Sequence, residues 1–167
     1  QSLLRLREFY QAEIEVFCNP NKLSEVEKFS EIQDVTIRIQ TDGDPVSMTC
    51  KEAVESGVVP NKLVAYYLGL LTEFYEKTGI DITKSRFRKL GDKEKAFYAE
   101  VAFDFEVETT IGWLELVACN YRSDYDLTSH ATKSKQKFEI MDGDDKVLPH
   151  VFEISMGIDR SLYTILE

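Results

Sequence analysis

The stretch 100–119, EVAFDFEVETTIGWLELVAC, decides how this chain is built. Val101, Phe103, Phe105 and Val107 fall on one parity, while Glu100, Asp104, Glu106 and Glu108 fall on the other. Side chains alternate across a strand, so this run reads as a strand with one apolar and one polar face. Trp113–Cys119 (WLELVAC) follows as a second, nearly all-apolar strand that holds one carboxylate, Glu115. Long strands without a βαβ alternation point to an α+β domain, a mainly antiparallel sheet flanked by helices.

Working outward, Leu3–Phe17 alternates like a strand and Asn19-Pro20-Asn21 ends it. Ser24, with Glu27 three residues on, predicts a capped short helix to about Ser30. Val35–Gln40 reads as a strand, 42–45 (DGDP) as a turn, and Thr49–Ser56 as a short helix closed by Gly57. The clearest helix runs from about Asn61 to Thr78, with Leu63, Tyr67, Leu70 and Phe74 as its apolar stripe and Gly79 at its end. Beyond the central strands come a helix over Asp124–Ser134, a hairpin turn at Asp142-Gly143, a strand over Val151–Met156 and a helix over Ile158–Glu167.

With 167 residues, 43% hydrophobic and 11% aromatic, the chain can bury a sizeable core and is not a disordered tail. No apolar run approaches the roughly 20 residues a membrane helix needs, so no membrane partner is expected. A formal charge of −10 repels phosphate backbones, so any RNA contact must be local or made elsewhere in a longer protein. The three cysteines and two histidines show no zinc spacing, and a reduced, cytoplasmic setting is expected with no zinc. There is no GxxxxGK[ST] loop, no GxGxxG in a βαβ unit and no GxSxG elbow.

Three places put charge where a strand should be apolar. Arg5, Arg7, Glu13 and Glu15 share one parity, and residues 5 to 13 would span roughly 26 Å. An extended ligand with an anionic and a cationic end fits that row; a solvated face of cross-strand ion pairs is the plainer reading of the pattern alone. Glu115, flanked by Trp113, Leu114, Leu116 and Val117, must be paired or metal-bound if buried, and Arg122 is a candidate partner. The run 153–160 (EISMGIDR) sets Glu153 and Ser155 at same-face spacing, then a glycine bend, then Arg160 in the first turn of a helix.

These segments also resemble a family. Leu4-Arg5-Leu6-Arg7-Glu8-Phe9 with Ala12-Glu13-Ile14-Glu15 resembles the second half of motif 2 of the glycyl-tRNA synthetases, class II aminoacyl-tRNA synthetases. Gly112–Val117 with Arg122-Ser123, Tyr125-Asp126-Leu127 and Ser129-His130-Ala131 resembles the segment before motif 3, and Pro149–Val151, Glu153–Ser155, Gly157 and Arg160 resemble motif 3. Glu52–Val58 and Arg86-Phe87-Arg88 match the archaeal and eukaryotic type. The blocks would then be 1–17 for half of motif 2, 24–95 for a helical insertion, 98–122 for central strands and 149–167 for motif 3.

What the resemblance implies is concrete. Glycine would be activated by ATP to glycyl-adenylate and passed to tRNA(Gly), with Mg²⁺ beside ATP and a homodimer in the full-length protein. Arg5, Glu115 and Arg160 would be catalytic; Arg5, Leu6, Glu115, Leu116 and Arg160 would bind ATP, with Glu115 a candidate Mg²⁺ ligand. Glu13, Glu153, Ile154 and Ser155 would bind glycine, with Arg7, Glu15 and Arg122 around them. The chain departs from the pattern at Ala118, at Asn120-Tyr121 in place of a smaller pair, at Ile154 and Met156, and at Asp159 beside Arg160. Motif 1, the first strand of motif 2 and an anticodon-binding domain have no counterpart in the 167 residues, so the chain alone is expected to be catalytically incomplete. A synthetase-like paralogue, or a non-catalytic module, that binds ATP or an adenylate without charging tRNA is the competing reading.

Overall fold

The computed structural model describes residues 9–167. Arg5, Leu6 and Arg7, and the start of the strand expected over Leu3–Phe17, lie outside the described residues. The strands are β1 (Gln11–Cys18), β2 (Thr36–Gln40), β3 (Val46–Thr49), β4 (Ser85–Lys89), β5 (Val101–Thr109), β6 (Gly112–Ser123), β7 (Ile140–Asp142), β8 (Asp145–Val147) and β9 (His150–Gly157). The helices are α1 (Phe29–Ile32), α2 (Cys50–Glu55), α3 (Lys62–Lys77), α4 (Tyr125–Ser134) and α5 (Ile158–Leu166). Seven strands form one sheet in the order β1-β9-β6-β5-β4-β2-β3, and β7 with β8 makes a separate hairpin. Every neighbouring pair in the large sheet is antiparallel except β2 with β4. The α+β architecture expected from the sequence is the one adopted.

The decisive stretch forms the hairpin at the sheet's centre. β5 turns into β6 across Thr110-Ile111, with Thr109 opposite Gly112 at φ +100°, a conformation glycine adopts without a Cβ penalty. Phe103 and Phe105 of β5, Val117 and Cys119 of β6, Phe87 of β4 and Phe152 and Ile154 of β9 are buried on one face. Helix α3 covers that face, with Tyr75 stacked on Phe105 at 4.8 Å and Tyr67 against Phe152 at 5.6 Å.

Helix α3 begins where Asn61 accepts a hydrogen bond from the Val64 N–H at 2.9 Å, and Gly79, at φ +97°, follows its end. Its buried stripe is Val64, Leu68, Leu71 and Tyr75, not the predicted Leu63, Tyr67, Leu70 and Phe74; Phe74 is 49% exposed. The rotation follows from Gly69, where α1 and α2 press in: a methyl there would overlap Ile32 Cγ2 and stand 2.9 Å from Cys50 Sγ. Helix α2 carries a reciprocal capping box, the Thr49 hydroxyl accepting from the Glu52 N–H at 3.1 Å and Glu52 accepting from the Thr49 N–H at 2.8 Å.

Two readings change between Asn19 and Lys95. The helix expected from Ser24 is replaced by a 3₁₀ turn at Pro20–Lys22 and by α1, because Phe29 and Ile32 bury there. The stretch 24–95, read as a helical insertion with one strand at Val35–Gln40, keeps that strand as β2 and adds two unforeseen ones, β3 and β4. β4 (SRFRK) escapes a hydrophobicity reading because only Phe87 is apolar, with Arg86 and Arg88 on the opposite face. No helix among the described residues is long and apolar enough to cross a membrane.

Candidate active site

The sheet's other face is polar, and its register lines up residues from distant parts of the chain. Glu13 of β1 lies opposite Ser155 of β9, which lies opposite Ala118 of β6, then Asp104 of β5, then Arg88 of β4. The adjacent row runs Glu15, Glu153, Asn120. Opposed residues of antiparallel strands project to the same side, so these side chains share one face. Glu13, Glu15, Glu153 and Ser155, all selected from sequence, are therefore neighbours. Gln11 Nε2 donates to Glu13 Oε1 at 2.9 Å and also to the Ser155 hydroxyl.

Glu115 reaches this face through an irregularity. Strict alternation would place it with Val117 and Cys119, in the core. Between Phe105/Val117 and Glu106/Glu115 the register slips, β6 advancing two residues while β5 advances one. Leu116 is the extra residue of this β-bulge and is buried. Trp113 and Glu115 thereby swing to the polar side, and Glu115 is 46% exposed at its side chain. It is thus not the buried carboxylate expected from its apolar neighbours. Its partner is Arg160 rather than Arg122: Arg160 Nη1 donates to the Glu115 carbonyl at 2.9 Å and lies 3.5 Å from its Oε2.

Arg160 stands in the first turn of α5, where the chain leaves β9 at Gly157. Asp159, the acidic neighbour that departs from the family pattern, accepts from the Tyr10 N–H at 2.7 Å, while the Ile158 N–H donates to the Tyr10 carbonyl at 3.0 Å. That pair ties α5 to the start of β1.

Glu153 is held from the β6 side. Arg122 Nη1 lies 3.0 Å from Glu153 Oε1, and Asn120 Nδ2 donates to Glu153 Oε2 at 3.2 Å. Arg122 also pairs with Asp126 at 2.6 Å and lies over the Tyr98 ring at 4.4 Å. Leu116 and Ile154 do not join the face: both side chains are 1% exposed and sit in the core. For Ile154 the reason is parity, since its neighbours Glu153 and Ser155 point the other way.

A set of groups that the sequence did not single out as a site lies beside Glu115. Glu106 is gripped by Arg86 at 2.7 Å and by Arg88 Nε at 3.1 Å; Arg88 also donates to Asp104 at 3.1 Å and to Glu94 at 2.9 Å. The Arg86 guanidinium lies over Trp113 at 3.8 Å. The sequence signal was present in the alternating acids of β5 and arginines of β4. Asp104, 8% exposed, has its carboxyl pushed up to about 6, first by burial and next by the Glu115 charge, against the pull of Arg88.

The cysteines and His150 lie among structural contacts. Cys50 and Cys119 are buried, and all three cysteines are free. Burial pushes the thiols of Cys18 and Cys50 up to about 11 and 12. His150 Nδ1 shares a 2.6 Å hydrogen bond with the Tyr121 hydroxyl. Among the described residues no group of three or more His, Cys, Asp or Glu side chains is arranged to hold a metal ion.

No protein-family model matches the chain. Curated proteins do. It is 41% identical over 145 residues to the mitochondrial glycine–tRNA ligase 1 of Saccharomyces cerevisiae, covering 83% of this chain and 21% of that protein. It is 37% identical over 153 residues to the glycine–tRNA ligase of Pyrococcus furiosus, covering 87% and 27%. It is 34% identical over 170 residues to that of Methanocaldococcus jannaschii, covering 94% and 29%. The chain thus spans between about a fifth and three tenths of the length of these relatives.

Proposed function

This chain is related along most of its length to one segment of the glycine–tRNA ligases, and from that kinship we propose that its polar sheet face is part of a site that activates glycine with ATP in a complete synthetase. The observation that carries the reading is the juxtaposition of Glu13 with Ser155 and of Glu15 with Glu153, flanked by Glu115 and Arg160. The two β1–β9 pairings unite segments more than a hundred residues apart in the sequence, and with Arg160 the face carries both signs of charge that the reaction requires.

Glycine's carboxylate oxygen attacks the α-phosphorus of ATP, and the bond to the bridging oxygen breaks to release pyrophosphate. A tRNA ribose hydroxyl then attacks the glycyl carbonyl, and AMP leaves. No protein nucleophile is needed, so positioning and charge stabilisation are the protein's contribution. Glu13 and Glu153 would hold the glycine ammonium, and Ser155 would fix its orientation through a hydroxyl. Arg160 would take the terminal phosphates, and Arg5 and Leu6, outside the described residues, would lie at ATP. Glu115 is the carboxylate that would hold Mg²⁺, an ion commonly bound by one or two carboxylates together with substrate phosphates. When bound, the ion would neutralise charge on the phosphate oxygens.

Selection of glycine works by exclusion, since every competitor is larger and a pocket gains nothing from a missing side chain. Ala118 stands between Ser155 and Asp104 in the site row, where its methyl would narrow the floor of a glycine pocket. The net charge of −10 leaves most tRNA binding to other parts of the protein, and a homodimer is our expectation for the complete molecule. The test is glycine-dependent ATP–pyrophosphate exchange by the complete protein. Glu13→Ala should abolish exchange while circular dichroism stays unchanged; full activity in that variant would remove Glu13 from the site and refute this reading of the face.

A further inference from the structure

Glu153 faces a difficulty that its neighbours resolve. Its register partner on one side is Glu15, another carboxylate, and like charges opposite each other repel. Left to itself the Glu153 side chain would rotate away and present no fixed oxygens. Instead both oxygens are restrained from the opposite strand, Oε1 by Arg122 at 3.0 Å and Oε2 by the Asn120 amide at 3.2 Å. The Arg122 guanidinium is itself fixed from two further directions. Asp126, in the first turn of α4, pairs with it at 2.6 Å, and the ring of Tyr98, in the loop before β5, lies 4.4 Å from its central carbon. Arg122 and Glu153 are both largely buried, so these contacts act where water screens them weakly.

We propose that Asn120 and Tyr98 are positioning residues for glycine: Asn120 directly, and Tyr98 through Arg122, they set the direction of the Glu153 carboxylate that receives the ammonium group. The inference rests on the assignment of Glu153 to the glycine site. The Asn120 amide is the donor that holds Glu153 Oε2, and a side chain without a donor there would leave that oxygen unrestrained. Tyr98 acts through the face of its ring, because that face is what meets the guanidinium, and a cation over a ring is held by the ring's quadrupole.

The experiment is ATP–pyrophosphate exchange by the complete protein, with KM measured separately for glycine and for ATP. Tyr98→Leu and Asn120→Ala should each raise the glycine KM by about tenfold, the scale of one lost cation–ring or charge-assisted contact. The ATP KM should stay within about twofold, and Tyr98→Phe, which keeps the ring face, should behave like the natural protein. Unchanged glycine KM in both Tyr98→Leu and Asn120→Ala overturns the proposal. So does equal damage from Tyr98→Phe and Tyr98→Leu, or a parallel rise in the ATP KM, which would mark a general structural role. Glu153→Gln separates the two levels: a silent Glu153→Gln refutes the glycine-site reading itself, whereas a damaging one with silent neighbours refutes only the positioning roles.

Discussion

Replacing Asp104 by asparagine tests whether the acidic floor of the site is under electrostatic load. In the fold this carboxyl is pushed from the ordinary 3.8 up to about 6 by burial and by Glu115, with Glu106 adding to the rise and Arg88 opposing it. A raised folded-state value means the native protein binds the proton more tightly than the unfolded chain. The stabilisation from the protonated form is therefore fully present below about 3.8 and lost as pH rises through about 6. At ~1.4 kcal/mol per pH unit the loss amounts to roughly 3 kcal/mol across that window. Asparagine resembles the protonated acid and carries no titration, so the variant lacks this loss. Urea unfolding of both proteins between pH 4 and pH 7.5 should show the stability of Asp104→Asn relative to the natural chain rising by about that amount, whatever the constant offset between them. Taking the difference removes the exposed carboxylates, which the two proteins share. A difference that stays flat, or falls with pH, would refute the claim that Asp104 is destabilised in its charged form.

Gly69→Ala should lower stability by about 1–3 kcal/mol in urea unfolding, because overlap with Ile32 and Cys50 outweighs the ~1 kcal/mol that alanine gains in a helix. Arg160→Gln should lower kcat/KM for ATP in pyrophosphate exchange by about 10- to 100-fold, the scale of one or two charge-assisted hydrogen bonds, while the glycine KM moves little.

Much of the frame was legible in the residues because its signals are local. The parity of Val101–Val107, the Asn61 and Gly79 ends of α3, the short helix beginning at Thr49 and the Asp142-Gly143 turn each depend on a few adjacent side chains. The candidate site was legible in part: Glu13, Glu15, Glu153 and Ser155 announced themselves as charged or polar residues on strand parity, and the register places them side by side. What escaped depends on partners distant in the chain. The face of α3 is chosen by the contact of Gly69 with Ile32 and Cys50, which no periodicity within 61–78 encodes. β4 is a strand because β5 pairs with it along Ser85–Lys89, not because SRFRK is apolar. The pairing of Glu115 with Arg160 instead of Arg122 depends on the bulge at Leu116, invisible without the opposing strand. Ile154 lies between the polar Glu153 and Ser155 in sequence, but the two-residue period of β9 sends it to the core.

The place of β1 beside β9 has a consequence for how the molecule comes into being. Their ladder joins Gln11–Cys18 to His150–Gly157, so the intervening chain must be closed before a single rung can form. The β5–β6 hairpin, with its two-residue turn, carries almost no such entropic cost and is free to form early. The row that brings Glu13 to Ser155 is thus among the last parts of the sheet expected to assemble, and a partly folded chain would possess a core but no seat for the ammonium group. Because closure entropy grows only slowly with loop length, α4 and the β7–β8 hairpin could be lengthened considerably between β6 and β9 at little thermodynamic cost. Evolution can therefore vary that excursion while the ladder beneath it stays in register.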